Sequence, residues 1–219
     1  DHPLQHRLRD SPDFQSEAGL ADALLHPQDR AYSVPQLFDF IQRCGLSFGR
    51  WLRQAPYLPQ CSPIDRSPLG SRITKLPPDQ QFAAMELFRG AMVRHSLIAY
   101  HEHGTGERSP VRFDVDGWLD FIPIRLPTTI VIQERLPKGA AAVLINQAHT
   151  FTDLYLPIDP SEKDWYDGIN GENSIRTILQ KSHTGSGSEA QARANVFFER
   201  LWHYDQIVFN ASKSHGFDH

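Results

Sequence analysis

Glycine spacing places the first constraint on the fold of this chain. Its close-spaced pairs are Gly104-Thr105-Gly106 and Gly185-Ser186-Gly187. Neither pair follows a run of β-branched residues, and neither opens a helix with apolar periodicity. A loop that cradles a nucleotide needs both, because it presents backbone N–H groups to phosphate at a helix N-terminus. The sequence therefore predicts a chain without such a loop, and no chemical step can be derived from it.

Composition indicates an ordinary globular protein. The 219 residues carry a formal net charge of −4, which gives nucleic acid or anionic lipid no overall attraction. Cys44 and Cys61 are expected to be reduced thiols. No apolar run approaches the roughly 18 residues that cross a bilayer, and no hydrophobic signal core is present, so a cytoplasmic location is predicted. Because the first residue is Asp1, the chain is expected to be cut from a longer one.

The first half of the sequence contains two strong helix signals. Ser33 is a predicted N-cap for a helix that ends at Gly45, and the apolar stretch that follows, 46–52, fits a strand or a helix. Five prolines between Pro56 and Pro77 make regular structure unlikely, so 55–76 is predicted to be an ordered linker or a domain boundary. The strongest helix is predicted from Asp79 to His101. Its apolar surface is too broad for a helix half in water, so it should be central and buried.

The second half alternates between strand and helix patterns. Four short apolar or period-two runs predict an antiparallel sheet packed on the central helix: Val111 to Val115, Phe121 to Ile124, Thr129 to Gln133 and Ala141 to Ile145. Three helices and a strand are then predicted, at Pro160 to Asp167, after Ser174, from Ala190 to Tyr204 and at 206–209. That order is typical of a winged-helix module.

These patterns together predict an α+β fold. A central helix packs on a small antiparallel sheet, and a winged-helix-like module follows at the C-terminus. Three segments are expected: a connector and tail-like segment over 1–60, a helix-plus-sheet domain over 61–158, and the winged-helix-like module over 159–219.

Histidines are the candidates for chemistry. His95, His101 and His103 form the one tight group, but a metal site needs a third or fourth ligand and supporting hydrogen bonds, so no metal is predicted. His149 precedes Thr150 without the motif of an activated nucleophile. It is therefore expected to hydrogen-bond a turn rather than act as a base.

Aromatic and arginine residues are the candidates for an interface. Trp, Tyr and Arg anchor interfaces because they bury large areas or make forked hydrogen bonds. Trp51, Arg53 and Tyr57 lie close together in sequence, and the third C-terminal helix carries Trp202 and Tyr204. That helix presents mainly aromatics where a DNA-reading helix presents Lys, Arg, Asn or Gln. Protein packing, within this chain or with a neighbour, is predicted instead of nucleic-acid binding, and plain core packing remains an alternative for Trp51.

Four patches carry a resemblance to a known family. They are LLHPQDRAYSVPQLFDFIQRCGLSFGRWLRQAPYLPQC, MELFRGAMVRHS, AVLINQAHTF and FFERLWHYDQIVF. Together they resemble the C-terminal region of a family of bacterial class I S-adenosylmethionine-dependent methyltransferases. The resemblance implies that 33–52 is the last helix and strand of a methyltransferase domain, or a connector just after it, and that the rest is accessory. The family's cofactor motif has no counterpart here, so no catalytic or cofactor-binding residue carries over.

Three hypotheses follow from the sequence. The first is an accessory region, regulatory or substrate-recruiting, that binds no cofactor itself while S-adenosylmethionine serves the full-length protein. Its partners would be the catalytic domain in cis and, as an open second partner, a protein substrate, with no nucleic acid and no membrane. The second is a stand-alone enzyme that uses one of the four histidines named above with an acid. The third is a winged-helix DNA-binding regulator.

Overall fold

The computed structural model describes residues 12–25, 30–90, 92, 94–101, 111–114, 117–183, 185 and 187–210. Within them the chain has an α+β fold with small antiparallel sheets, as the sequence predicts. The α-helices, in chain order, are α1 (Glu17–Leu25), α2 (Val34–Arg43), α3 (Pro68–Ile73), α4 (Pro78–Arg89), α5 (Pro160–Asp167), α6 (Ile175–Lys181) and α7 (Ser188–His203). Short 3₁₀ turns occur at Pro12–Gln15, Ala55–Tyr57, Pro59–Cys61, Pro63–Arg66 and Trp118–Asp120.

The strands form three small sheets among the described residues. They are β1 (Leu46–Trp51), β2 (Leu97–His101), β3 (Ile122–Arg125), β4 (Thr129–Ile132), β5 (Ala142–Asn146), β6 (Leu156–Ile158) and β7 (Ile207–Asn210). β1 pairs with β2, β3 pairs with β7, and β4, β5 and β6 form a three-stranded sheet. Each of these pairs is antiparallel. The apolar stretch after Gly45, which the sequence allows to be a strand or a helix, is therefore a strand.

The predicted long helix is wrong in its second half. α4 ends at Arg89 because Gly90 adopts the left-handed conformation, with φ of 62°, which closes a helix and favours glycine. Residues 97–101 instead form β2 against β1. The apolar residues that suggested one broad helix surface thus belong to two elements, α4 and β2. Nor is α4 the central buried helix, since Met85 is its fully buried residue and Leu87 is 82% exposed.

The proline-rich segment is more regular than predicted. Three 3₁₀ turns and α3 occupy most of it, and each has proline in its first turn, where a missing N–H costs no hydrogen bond. The segment is also packed tightly against itself, because a Cβ on Gly70 would lie 2.0 Å from the carbonyl oxygen of Ile64. Ala55 and Cys61 are buried in a small core with Leu154. This stretch is an integral part of the fold.

Most of the other predicted elements are confirmed. β3, β4 and β5 lie where the alternating apolar pattern predicts strands, but β3 pairs with β7 and not with β4 or β5, so the prediction that these strands share one sheet is wrong. Asp159 and Ser174 cap α5 and α6 with side-chain oxygens, as predicted for Ser174. The strand predicted over Val111 to Val115 is wrong for 111–114, which are irregular, and Val115 lies outside the described residues. Phe113 nevertheless joins the main core.

Apolar packing falls into two main regions. The larger core draws on β5, β6 and the last three helices, and includes Trp165, Phe197 and Phe198. The second, here called the aromatic cluster, consists of Trp51, Tyr57, Phe38, Phe48 and Phe82. α4 supplies Phe82, and β1 supplies Phe48 and Trp51, so that α4 packs on the two-stranded sheet rather than on β3, β4 and β5.

Candidate functional site

A cavity of about 190 Å³ lies where three separate stretches of chain meet. The first stretch follows β1 and supplies Arg53 and Tyr57, the second leads into β2 and supplies Arg94 and Ser96, and the third follows β5 and includes His149. We call this cavity the cationic pocket. It lies beside the aromatic cluster, through Tyr57, and beside the small core of Ala55, Cys61 and Leu154, through Phe151. A concave location of this kind is typical of a ligand site.

The first wall is held by the aromatic cluster. The rings of Tyr57 and Trp51 stack face to face, with centroids 3.9 Å apart and planes 5° apart. Burial, and after it the nearby charge of Glu86, raises the pKa of the Tyr57 hydroxyl far above its usual range. Tyr57 therefore stays protonated at neutral pH and presents a neutral hydroxyl.

A chain of hydrogen bonds joins this wall to the second. The Tyr57 hydroxyl lies 2.7 Å from Nδ1 of His95, and Nε2 of His95 lies 3.2 Å from Oε1 of Glu86. The other carboxylate oxygen of Glu86 accepts from the backbone N–H of Val34 at 2.8 Å. Because His95 is engaged at both nitrogens, the chain fixes Arg94 and Ser96 on either side of it.

The third wall depends on Asp205, at the corner between α7 and β7. Its carboxylate accepts from the backbone N–H of Ala55 at 2.9 Å, and its carbonyl oxygen accepts from the side-chain amide of Asn146. Oδ1 of Asn146 then accepts from the N–H of Ala148 at 2.8 Å. One residue thus positions both the turn that carries Tyr57 and the loop that carries His149.

Arg89 fastens the same loop from the end of α4. Its guanidinium donates to Asp153 at 2.5 Å and lies 4.7 Å from the ring centroid of Phe151. The Arg89 side chain is only 4% exposed, and its Nη2 has no hydrogen-bond partner among the described residues. Phe151 also lines the cationic pocket, so this buried ion pair supports the pocket wall.

His149 is the unusual residue of the site. Both of its ring nitrogens are buried, and neither has a hydrogen-bond partner within the described parts of the chain. Burial first, and then the charges of Arg53 and Arg89, lower the pKa of His149 to about 4. The ring is therefore neutral at pH 7. The prediction that it hydrogen-bonds a turn is wrong, and leaving such groups unpaired costs about 1–3 kcal/mol each.

Positive charge dominates the pocket. Arg53 and Arg94 are exposed and line it, and neither forms an ion pair with any described residue. Arg89 is neutralised by Asp153. With two guanidinium groups outside any described ion pair, a neutral imidazole and a protonated phenol, the pocket can attract negative charge and exchange hydrogen bonds. The Tyr57 phenol is held in its protonated form and is therefore not a nucleophile at neutral pH.

The predicted interface residues fall into different environments. Trp51 and Tyr57 pack inside the chain's own aromatic cluster, Arg53 lies at the pocket, and Trp202 and Tyr204 are half-buried. The Trp202 ring lies beneath the guanidinium of Arg50, 5.6 Å away. Trp51 is packed in the core of this chain, which is the alternative that the sequence left open. An interface through the other three residues stays a prediction.

The predicted histidine group does not assemble within the described residues. His95 is bound to Tyr57 and Glu86, His101 lies at the end of β2, and His103 lies outside the described residues. No cluster of three metal-binding side chains occurs in the part of the chain that the structure describes. Sequence reasoning missed Arg89, Arg94 and Asp205, because charged residues at element ends carry no motif.

Asp205 should make stability depend on pH. It is 2% exposed, and burial raises its pKa to about 6, above the roughly 3.9 of an unfolded aspartate. The folded state then binds more protons between these values, so this residue's contribution to stability falls as pH rises from about 4 to about 6. The loss is on the order of 3 kcal/mol, and we expect Asp205→Asn to abolish it.

The measurement is the free energy of unfolding in urea at several pH values between 4 and 7, for the wild type and for Asp205→Asn. His149 and His203, whose pKa values are lowered to about 4 by burial, act in the opposite direction, which is why the difference between the two proteins is the quantity to compare. A difference that does not change with pH would contradict the expectation. Asn suits this position because Asp205 has φ of 53°, a conformation that Asn tolerates.

Comparison with known proteins leaves the family open. No protein-family model matches this sequence, and no curated protein matches it. Among the described residues, none of the helices has the length and apolar character that crossing a membrane requires.

Proposed function

We propose that this chain is a non-catalytic accessory region of an S-adenosylmethionine-dependent methyltransferase, regulatory or substrate-recruiting in role. The sheet topology is the observation that supports this proposal. All strand pairs of the described residues are antiparallel, and the largest sheet has three strands. A doubly wound fold instead binds its nucleotide cofactor at the carboxyl edge of a parallel sheet, beside a glycine-rich turn. The resemblance of the four sequence patches supplies the enzyme class.

The proposal extends to how the region is organised. Its last segment, with α5, α6, α7 and then β7, is a winged-helix-like module. In that module the third helix packs inward through Phe197 and Phe198, which are fully buried. Its partners are the catalytic domain in cis and a protein substrate, approached through the accessible residues Arg53, Trp202 and Tyr204. The whole enzyme operates in the cytoplasm.

Two measurements test this proposal. Isothermal titration of the purified chain with S-adenosylmethionine should give no saturable heat, and the coding sequence upstream of Asp1 should encode a glycine-rich turn after a strand. Stoichiometric binding of S-adenosylmethionine to this chain alone would overturn the non-catalytic role. An upstream sequence without that turn would overturn the methyltransferase assignment.

A further inference from the structure

We propose that the cationic pocket binds a small organic anion that carries a carboxylate or a phosphate group. This goes beyond the accessory role and does not depend on it, since binding is a property of the described chain. The proposal rests on the shape of the pocket, on its unpaired charges and on the unsatisfied ring of His149.

The positive charge of the pocket indicates that its ligand is negatively charged. Arg53 and Arg94 come from different stretches of chain and line one cavity, and neither forms an ion pair with a described carboxylate. The charge of Arg53 also acts on the buried carboxylate of Asp205, so Arg94 is the less compensated of the two. The acid that does lie near the loop, Asp153, is already paired with Arg89. Two planar guanidinium groups match the paired oxygens of a carboxylate or a phosphate, to which arginine donates two parallel hydrogen bonds.

His149 supplies the second recognition element. A neutral imidazole has one nitrogen that donates and one that accepts, and both are buried here without a described partner. Buried polar atoms in folded proteins nearly always find partners. Neither nitrogen has accessible surface in this geometry, so a ligand reaches them only when the His149 ring turns toward the cavity. An oxygen at one nitrogen, with a hydroxyl or amino hydrogen for the other, would then satisfy the ring. The pocket therefore favours an anion over a neutral or cationic molecule and tolerates a donor group beside the charge.

The volume and the lining residues of the pocket limit the class of ligand further. The cavity of about 190 Å³ is slightly larger than an engineered cavity of about 150 Å³ that holds benzene. Phe151, Met92 and the ring of Tyr57 give it apolar sides. An acid group attached to a short or flat apolar body fits this combination. A free inorganic ion would leave the apolar sides uncovered.

Titration with three probes tests the proposal on the purified chain. Benzoate carries a carboxylate, phenyl phosphate carries a phosphate, and benzamide is a neutral molecule with the shape of benzoate. We expect at least one of the two anions to bind saturably below about 10 mM, and benzamide to bind at least tenfold more weakly. The anion that binds more tightly shows whether the pocket prefers a carboxylate or a phosphate. No saturable binding of either anion, or equal binding of benzamide, would overturn the proposal.

Variants place the binding in this pocket. Arg94→Gln and Arg53→Gln should each weaken binding of the preferred anion at least tenfold, because each removes a charge that faces it. Arg72→Gln is the matched control, since Arg72 is also exposed, has no described ion pair and lies on α3 away from the pocket. Unchanged affinity in both pocket variants, or an equal loss in the control, would show that the anion binds elsewhere and would overturn the assignment.

His149→Phe separates recognition from folding. The substitution keeps a flat ring of similar size and removes two unsatisfied polar atoms. We therefore expect a Tm raised by a few degrees together with at least tenfold weaker binding of the anion. A histidine that served only the fold would show the reverse, a lowered Tm with unchanged binding, and that result would remove His149 from the site.

Discussion

Trp51→Ala is expected to lower the free energy of unfolding by about 4 kcal/mol, a large part of the stability of a domain this size. Trp51 is 1% exposed, stacks on Tyr57, and meets Phe38 and Phe82 edge-on with centroids 6.0 and 5.7 Å away. Removal of the indole ring leaves a cavity. The rings of Phe38, Tyr57 and Phe82 line it from three different elements, which cannot all shift to fill it. Urea denaturation at 25 °C, followed by circular dichroism, measures the loss.

Trp202→Ala is the control for this prediction. Trp202 is only half-buried, so the same truncation there should cost clearly less. An equal cost at both positions would contradict the assignment of Trp51 to a core. A charged residue at Trp51 should likewise unfold the chain. Loss of association in such a variant therefore carries no information about an interface unless the variant is first shown to be folded.

The C-terminal elements can be predicted because their boundaries are determined by local residues. Asp159 and Ser174 each accept a hydrogen bond from the backbone N–H of the third residue of the helix, and Pro160 has the φ value that a first turn requires. Strands β3, β4 and β5 are bounded by proline and glycine turns. None of these signals depends on a distant contact.

The boundary between α4 and β2 cannot be predicted in that way. Residues 79–101 have apolar side chains at both helical and alternating spacings, and the conversion to a strand depends on pairing with β1, about fifty residues earlier in the chain. Gly90 is the local signal, but a single glycine inside a helical pattern is often tolerated. A long-range hydrogen-bond ladder decides the structure there.

The candidate site is the least predictable part of the molecule, because it is assembled from contacts between distant residues. Arg53, Arg94 and His149 share no motif, and Asp205 reaches Ala55 across 150 residues. His149 can be singled out from the sequence, but its lack of hydrogen-bond partners cannot. The sequence predicts β5, which the His149 loop follows, but not β2, which the stretch with Arg94 and Ser96 leads into. The tertiary fold brings the charges together.

Asp153→Asn is expected to be the second strongly destabilising substitution, at about 3 kcal/mol. It removes the carboxylate that faces the guanidinium of Arg89, whose side chain is 4% exposed. Since Nη2 of Arg89 already has no described partner, the variant would bury a positive charge without compensation. Asp153 also accepts from the hydroxyl of Ser62 at 3.1 Å, a bond that an asparagine oxygen can retain. The amide NH2 then faces Arg89, so the variant removes both the charge and the acceptor that Arg89 uses.

Arg89→Met should cost less, about 1–2 kcal/mol, because it removes the buried charge itself and leaves an apolar chain of similar length. Asp153 is 29% exposed, so it can turn toward solvent once its partner is gone. The free energies of unfolding of both single variants and of the double variant give the coupling energy of the pair. We expect the double variant to be more stable than Asp153→Asn alone, since Arg89→Met removes the positive charge that Asp153→Asn leaves buried without a partner. Arg89 also lies over the ring of Phe151 and donates from Nε to the carbonyl oxygen of Pro56 at 3.4 Å. A double variant less stable than Asp153→Asn would mean that Arg89 acts through these contacts rather than through its charge.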